Sequence, residues 1–247
     1  MDELGAYRIL RVADPDGPVP QAGQFAMLAA AARWGGGEDE RPFFARAFSI
    51  ARHAGGEAHY LLEDVGPGTR RLCELDQGQE IDVVGPLGQG FRAPQEGRRA
   101  LLVGGGVGVA PLAILQDQLG ADAEVLLGFR DAAHARGGEL LHAPKLATDD
   151  GSVGHHGFVT DLLRAELDEG APVEVYGCGP PPMLEAVRAI CEQREVPSQL
   201  ALEAGMACGY GACFGCVVPR RGGGYLRVCL DGPVIDAGLL ERVEDHR

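Results

Sequence analysis

Four cysteines packed into residues 208–229 constrain this chain more than any other feature. Cys208, Cys213, Cys216 and Cys229 follow the spacing C-x4-C-x2-C-x12-C. Seven cysteines in all is an odd number, and such crowding suits metal ligation in a reducing compartment better than a disulfide framework. Three close thiols with one distant member are the plant-type ligand pattern of a two-iron, two-sulfur (2Fe-2S) cluster. A structural zinc site and chance clustering are the alternatives. Zinc ligands usually arrive as two C-x2-4-C pairs, so the spacing favours iron and sulfide. Gly209, Gly211 and Gly215 lie among the ligands, where a loop must turn backbone N–H groups toward sulfur without a Cβ in the way. Cys73 and Cys191 sit in apolar-periodic stretches and read as core residues.

Upstream of this tail the chain divides in two. Short candidate strands at Tyr7 to Val12, Gln24 to Leu28, Ala45 to Ala51, Ala58 to Glu63 and Glu80 to Val84 are separated by Gly, Pro and Asp turns, which suggests a β-barrel. The stretch Ala29 to Pro42 reads as an irregular insertion. From Arg99 the pattern becomes strand, glycine turn and helix, with strands at Ala100 to Val103, Ala123 to Phe129 and Val173 to Tyr176. That alternation predicts a doubly wound parallel sheet. The expected fold is therefore α/β plus all-β: an antiparallel barrel over 1–95, a nucleotide-binding domain over 96–200 and a small cluster-binding subdomain over 201–247.

Composition removes several function classes. Twenty-two basic residues against 36 acidic ones give a net charge of -14, which repels nucleic acid and anionic lipid. No apolar run approaches the roughly 20 residues needed to span a bilayer, and MDELGAYRIL lacks the basic and apolar regions of a leader, so a cytoplasmic location without a membrane is expected.

Several loops are candidates for holding phosphates. Gly104, Gly105, Gly106 and Gly108 follow a strand and open a helix, although Ala110-Pro111 stands where the third glycine of G-x-G-x-x-G would be. Cys178 and Gly179 lie in the loop expected after another sheet strand, and two such loops define a crevice at one sheet edge. In the barrel, alternation along Arg46-Ala47-Phe48-Ser49 puts Arg46 and Phe48 on one face and Ser49 on the other, unless the strand bends. Gly66 to Arg70 is a further candidate anion loop, and Gly85 to Phe91 reads as a turn closing the barrel.

The order R-x-F-S, G-x-G-T, G-P-L-G-x-G-F, G-G-G-x-G-x-A-P-L, Y-x-C-G-P-x-x-M and C-x4-C-x2-C-x12-C resembles the electron-transfer subunit of the class 1B dihydroorotate dehydrogenases, in the ferredoxin-NADP reductase superfamily. The resemblance implies an FAD- and 2Fe-2S-bearing oxidoreductase subunit with NAD as acceptor, acting in pyrimidine biosynthesis. Electrons would arrive from an FMN-containing catalytic partner, in a heterotetramer of two copies of each chain. It also implies that Arg46, Ala47, Phe48 and Ser49 hold FAD, that Gly68 and Thr69 meet its pyrophosphate, and that Leu61, Leu62 and Glu63 line the flavin through backbone groups. Gly104 to Gly108 would approach the nicotinamide nucleotide, with Cys178 and Gly179 near its ring, and the four tail cysteines would ligate the cluster. Ala47 stands where the family often has Pro, and Glu63 near where it has a basic residue. Tyr210, Phe214 and Val217 are the candidate partner contacts. A mixed Arg130-Asp131 loop followed by Asp149-Asp150 gives the expectation of NAD over NADP. The alternative is the small FAD and iron-sulfur subunit of an NADPH-dependent ferredoxin or sulfide oxidoreductase.

Overall fold

A computed structural model describes residues 1–35, 42–120 and 123–241. Of the insertion expected over Ala29 to Pro42, Ala29 and Ala30 instead finish a strand, and residues 36–41 lie outside the described residues.

The N-terminal domain contains β1 (Asp2–Leu4), β2 (Tyr7–Ala13), β3 (Phe25–Ala30), β4 (Arg46–Ala54), β5 (Glu57–Glu63), helix α1 (Pro67–Cys73) and β6 (Ile81–Leu87). Its six strands pair antiparallel in the order β1-β2-β5-β4-β3-β6. Leu10 and Val12 of β2 point inward, alternating with exposed Arg11 and Ala13, whereas Tyr7, three residues before Leu10, lies on the other face and is buried against Gly137 and His134 of the nucleotide domain. Register shifts at Phe25/Met27 and Ile50/Arg52 bend β3 and β4. The segment expected as a closing turn is partly strand: Gly85, Pro86 and Leu87 finish β6, and the chain turns only at Gly88, whose φ of +77° suits glycine.

The second domain runs β7 (Arg99–Gly105), α2 (Val109–Leu119), β8 (Glu124–Phe129), α3 (Ala132–Ala135), β9 (Lys145–Thr148), β10 (His155–His156), α4 (Val159–Asp168), β11 (Val173–Cys178), α5 (Pro181–Gln193) and β12 (Ser198–Ala201). Six residues of β7 and all six of β11 are buried, as befits strands covered by helices on both faces. Each fully buried Leu or Val among them, such as Leu101, Leu102 and Val175, contributes about 1.5–3 kcal/mol. Helix α4 turns Val159, Leu163 and Glu166 inward at helical spacing. Glu166 meets a charged network at the amino ends of three strands, accepting from Arg99 Nη2 at 2.8 Å and Lys145 Nζ at 2.9 Å, while both cations also bind Glu124. Burial opposes the charge on Glu124, but Lys145 and Arg99 hold its carboxyl down at about 2.

The tail adds a hairpin, β13 (Val217–Pro219) with β14 (Tyr225–Arg227), a short helix α6 (Val228–Asp231) and β15 (Val234–Asp236). Strand β15 then joins the nucleotide sheet antiparallel to β12, with Ala201 opposite Val234, giving seven strands in the order β10-β9-β8-β7-β11-β12-β15. The tail also seals onto the barrel, where Phe25 and Met27 pack with Cys216, Val228 and Cys229. The linker after β6 is pinned to the nucleotide sheet by Gln199, whose side chain accepts from Arg92 N at 2.9 Å and donates to Glu174 at 2.8 Å. No helix among the described residues is long and apolar enough to cross a membrane.

Candidate functional site

The three parts of the chain converge on one cavity of about 290 Å3. The barrel contributes Ala47, Phe48, Ser49, Leu61, Glu63 and Thr69; the nucleotide domain contributes Val107, Gly108 and Cys178; the tail contributes Glu203 and Met206. Phe48 and Ser49 reach the same cavity although simple alternation separates them, and the register shift just beyond, at Ile50/Arg52, is the bend that permits it. Leu62, between Leu61 and Glu63, is fully buried in the core and is not among the residues that line the cavity.

Arg46 and Gly68 lie together beside this cavity. A Cβ on Gly68 would stand 2.6 Å from Arg46 Nε, so the glycine lets the guanidinium lie against the first turn of α1. The same guanidinium donates to Phe44 O at 2.5 Å and sits 6.0 Å from the Trp34 ring centroid. The Thr69 hydroxyl is committed to its own turn, accepting from Val65 N at 2.9 Å and Gly66 N at 3.0 Å. An apolar slot with a cation and a helix start at one end suits a flavin with its phosphates.

Gly108 is the contact between the nucleotide domain's glycine loop and Cys178. A Cβ there would lie 2.5 Å from Cys178 O, so only glycine allows this approach. Cys178 was expected in a loop. It is instead the last residue of β11, paired with Gly104 on one side and Ala201 on the other. Complete burial, with Glu203 adding to it, pushes its thiol well above the usual range, so it is a neutral apolar wall for the cavity. Burial likewise raises the Glu203 carboxyl. Glu203 was not singled out from sequence; the signal available was an acid in the apolar run Leu200-Ala201-Leu202 directly after a strand.

A second cavity of about 560 Å3 opens on the other side of the glycine loop, lined by Gly105, Gly106, Phe129, Arg130, Asp149, Pro180 and Met183 among others. The glycine run is thus divided. Gly104 packs into the core against Leu127 and Leu112, Gly105 and Gly106 face the second cavity, and Gly108 faces the first. Gly179 stands 3.1 Å from Gly105 N at its would-be Cβ, bringing the two carboxyl-edge loops into contact. Tyr7 and His134, absent from the sequence candidates, also line this second cavity, with rings 5.5 Å apart edge to face.

In the tail, Gly209 and Gly211 adopt φ of +81° and +86°, conformations that favour glycine. Cys216 Sγ and Cys229 Sγ lie 3.2 Å apart, and backbone N–H groups point at sulfur: Gly215 N to Cys213 at 3.4 Å and Cys229 N to Cys216 at 3.5 Å. Burial opposes a charge on Cys208, yet N–H groups of Cys213, Tyr210 and Ala212 bring its thiol down to about 6. Burial, reinforced by Cys216, pushes Cys229 up to about 11. Among the described residues no three such side chains close around a single point. What the loop offers is a close thiol pair, further thiols in sequence reach and N–H donors to sulfur, a donor set that fits thiolate ligation of an iron-sulfur cluster.

Residues 203–241 match the family model for the iron-sulfur cluster binding domain of dihydroorotate dehydrogenase B. The chain is 38% identical over 224 residues to a protein of Caldanaerobacter subterraneus subsp. tengcongensis named dihydroorotate dehydrogenase B (NAD(+)), electron transfer subunit, covering 88% of this chain and 86% of that one. A protein of the same name from Bacillus caldolyticus is 41% identical over 230 residues, with the same coverage of 88% and 86%. Among solved structures, that of the NADH-dependent reduced ferredoxin-NADP oxidoreductase superposes with a TM-score of 0.79 at 25% identity, covering 96% of this chain and 86% of that chain.

Proposed function

The chain belongs to the family of dihydroorotate dehydrogenase B (NAD(+)) electron transfer subunits, and from that premise we propose how its parts divide the work. It is an oxidoreductase subunit of pyrimidine biosynthesis that carries electrons through an iron-sulfur cluster and FAD to NAD. The observation that carries the reading is the first cavity, which barrel, nucleotide domain and tail all line. A flavin there has the nicotinamide crevice on one side and the cysteine loop on the other.

When bound, the flavin supplies the exchange between one-electron steps at the cluster and two-electron hydride transfer at the nicotinamide. The protein supplies placement. Arg46 and the first turn of α1 take the FAD phosphates, Ala47, Phe48 and Ser49 hold the ring, and Leu61 to Glu63 line it through backbone groups. Gly105, Gly106 and Gly179 admit the nicotinamide nucleotide, whose adenosine half extends along the second cavity past Arg130 and Asp149. Gly108 and Cys178 form the thin wall at which the two ligands meet, and Cys178, neutral and without room to move, excludes water there rather than acting as a nucleophile. Cys208, Cys213, Cys216 and Cys229 ligate the 2Fe-2S cluster. Domains over 1–95, 96–200 and 201–247 correspond to these three tasks.

A catalytic partner subunit follows from the family. We assign it FMN and a heterotetramer of two copies of each chain, located in the cytoplasm. Tyr210 and Phe214, 59% and 60% exposed beside the cysteines, with Val217, form the contact surface for it. Arg227 lies 5.2 Å from the Phe214 ring and props it outward. The isolated chain, loaded with FAD and cluster, is expected to reduce artificial acceptors with NADH and to leave dihydroorotate untouched until the partner is added. Orotate production by the chain alone would overturn this division of labour.

A further inference from the structure

The second cavity contains a cation that is well placed to read a 2′-phosphate, and a carboxylate from the other domain already holds it. Arg130 follows β8, the position at which doubly wound sheets read the adenosine ribose: an acid there accepts from a 2′-hydroxyl, while an arginine takes a 2′-phosphate. In this chain Arg130 Nη2 donates to Glu63 Oε1 at 2.8 Å. Glu63 ends β5 of the barrel, and its side chain is 20% exposed against 61% for Arg130. The carboxylate is therefore fixed by its strand, and the longer, freer guanidinium comes to it.

The neighbouring charges deepen the effect. His134 Nε2 approaches the same Glu63 oxygen at 3.4 Å, and its Nδ1 lies 2.7 Å from Asp131, which also caps α3. Asp149 lines the cavity as well. With Arg130 neutralised, Asp131 and Asp149 leave the local balance acidic. A phosphate monoester of nearly two negative charges would be repelled there, whereas a 2′-hydroxyl meets no such penalty. The barrel also presents Tyr7 to the cavity, where it is 1% exposed and its hydroxyl has no hydrogen-bond partner among the described residues.

We infer that Glu63 is a specificity-determining residue: by holding Arg130 it excludes nucleotides that carry a 2′-phosphate, so the choice between NAD and NADP is made by the barrel and not within the nucleotide domain. This rests on the placement of the adenosine half in the second cavity proposed above.

Calorimetry on the full chain loaded with FAD and cluster, using 5′-AMP and 2′,5′-ADP as probes, tests both levels. In the unaltered protein 5′-AMP is expected to compete with NADH and 2′,5′-ADP to bind more weakly. Glu63→Gln is expected to improve 2′,5′-ADP binding relative to 5′-AMP by about tenfold, and to raise the NADPH to NADH ratio of kcat/KM in the same proportion. In Glu63→Gln with Arg130→Gln, both gains should vanish. A ratio unmoved by Glu63→Gln, or a gain that survives loss of Arg130, overturns the inference while leaving the cavity assignment standing. Failure of 5′-AMP to compete with NADH overturns the cavity assignment itself, and the inference with it.

Discussion

Cys178 and Cys213 both carry thiols in the candidate site, yet they are held in opposite ways. Cys178 is 3% exposed, and the ladder to Gly104 and Ala201 fixes its position. Cys213 is exposed, in a loop that turns at the left-handed Gly209 and Gly211, whose would-be Cβ atoms meet Met27 and Leu230. The parallel sheet has a core of its own, built from Leu101, Val103, Leu126 and Val175 with the helices that cover them. The cysteine loop packs its inner side, Cys216 and Cys229, on the barrel and leaves Cys213 at the surface. One region places groups by burial, the other by ligation.

The largest expected effect tests the second half of that contrast. Cys213→Ser should lower the iron content and cut electron transfer to the partner more than about 100-fold, with FAD still bound, because the loop depends on its ligands and the barrel does not. Iron stoichiometry and flavin absorbance on one sample decide it, and full iron occupancy would break the comparison. Next comes Gly108→Val, which drives a branched side chain into the Cys178 carbonyl at a distance of 2.5 Å for Cβ alone. It should cost about 10- to 100-fold in NADH-dependent reduction, measured by stopped-flow flavin bleaching, with iron content unchanged.

A third substitution touches only the sheet. Glu166→Ala removes the buried carboxylate shared by Arg99 and Lys145 and should destabilise by about 1–3 kcal/mol, seen as a lower Tm with both cofactors retained in the folded protein. Glu124 in the same network gives a pH signature. Its carboxyl is depressed to about 2 from 4.5, so its contribution is fully present above pH 4.5 and is lost as pH falls toward 2. Glu124→Gln should flatten that part of the Tm profile relative to the unaltered chain. The smallest effect is expected at the rim: Phe214→Ala should weaken the partner complex by about two- to fivefold, read by titration, without altering iron, FAD or NADH reduction of artificial acceptors.

The features legible in the sequence were those with a local signal. The strands at Ala100 to Val103 and Val173 to Tyr176 carry runs of Leu and Val before glycine turns, and the cysteines carry their spacing. What escaped was either too short or too distant. Lys145–Thr148 and Val234–Asp236 are strands of four and three residues whose pairing partners, not their composition, make them strands. Cys178 looked like loop because Gly177 and Gly179 flank it, yet neighbouring strands on both sides extend the ladder through it. Glu63 and Arg130 are 67 residues apart, and no periodicity could join them. Glu203 and Tyr7 enter their cavities only because the tail and barrel fold back onto the nucleotide domain.

The register that sets Ala201 opposite Val234 makes residues 202–233 a closed excursion: the chain departs the sheet on one strand and re-enters on its neighbour, about 5 Å away. Such an excursion is a cassette. Its two joints are side by side, as in a hairpin, but Glu203 and Met206 within it line the first cavity and Val228 and Cys229 cover Phe25 and Met27. The cysteines and one wall of the slot between the domains therefore travel together in a single insertion between two neighbouring strands.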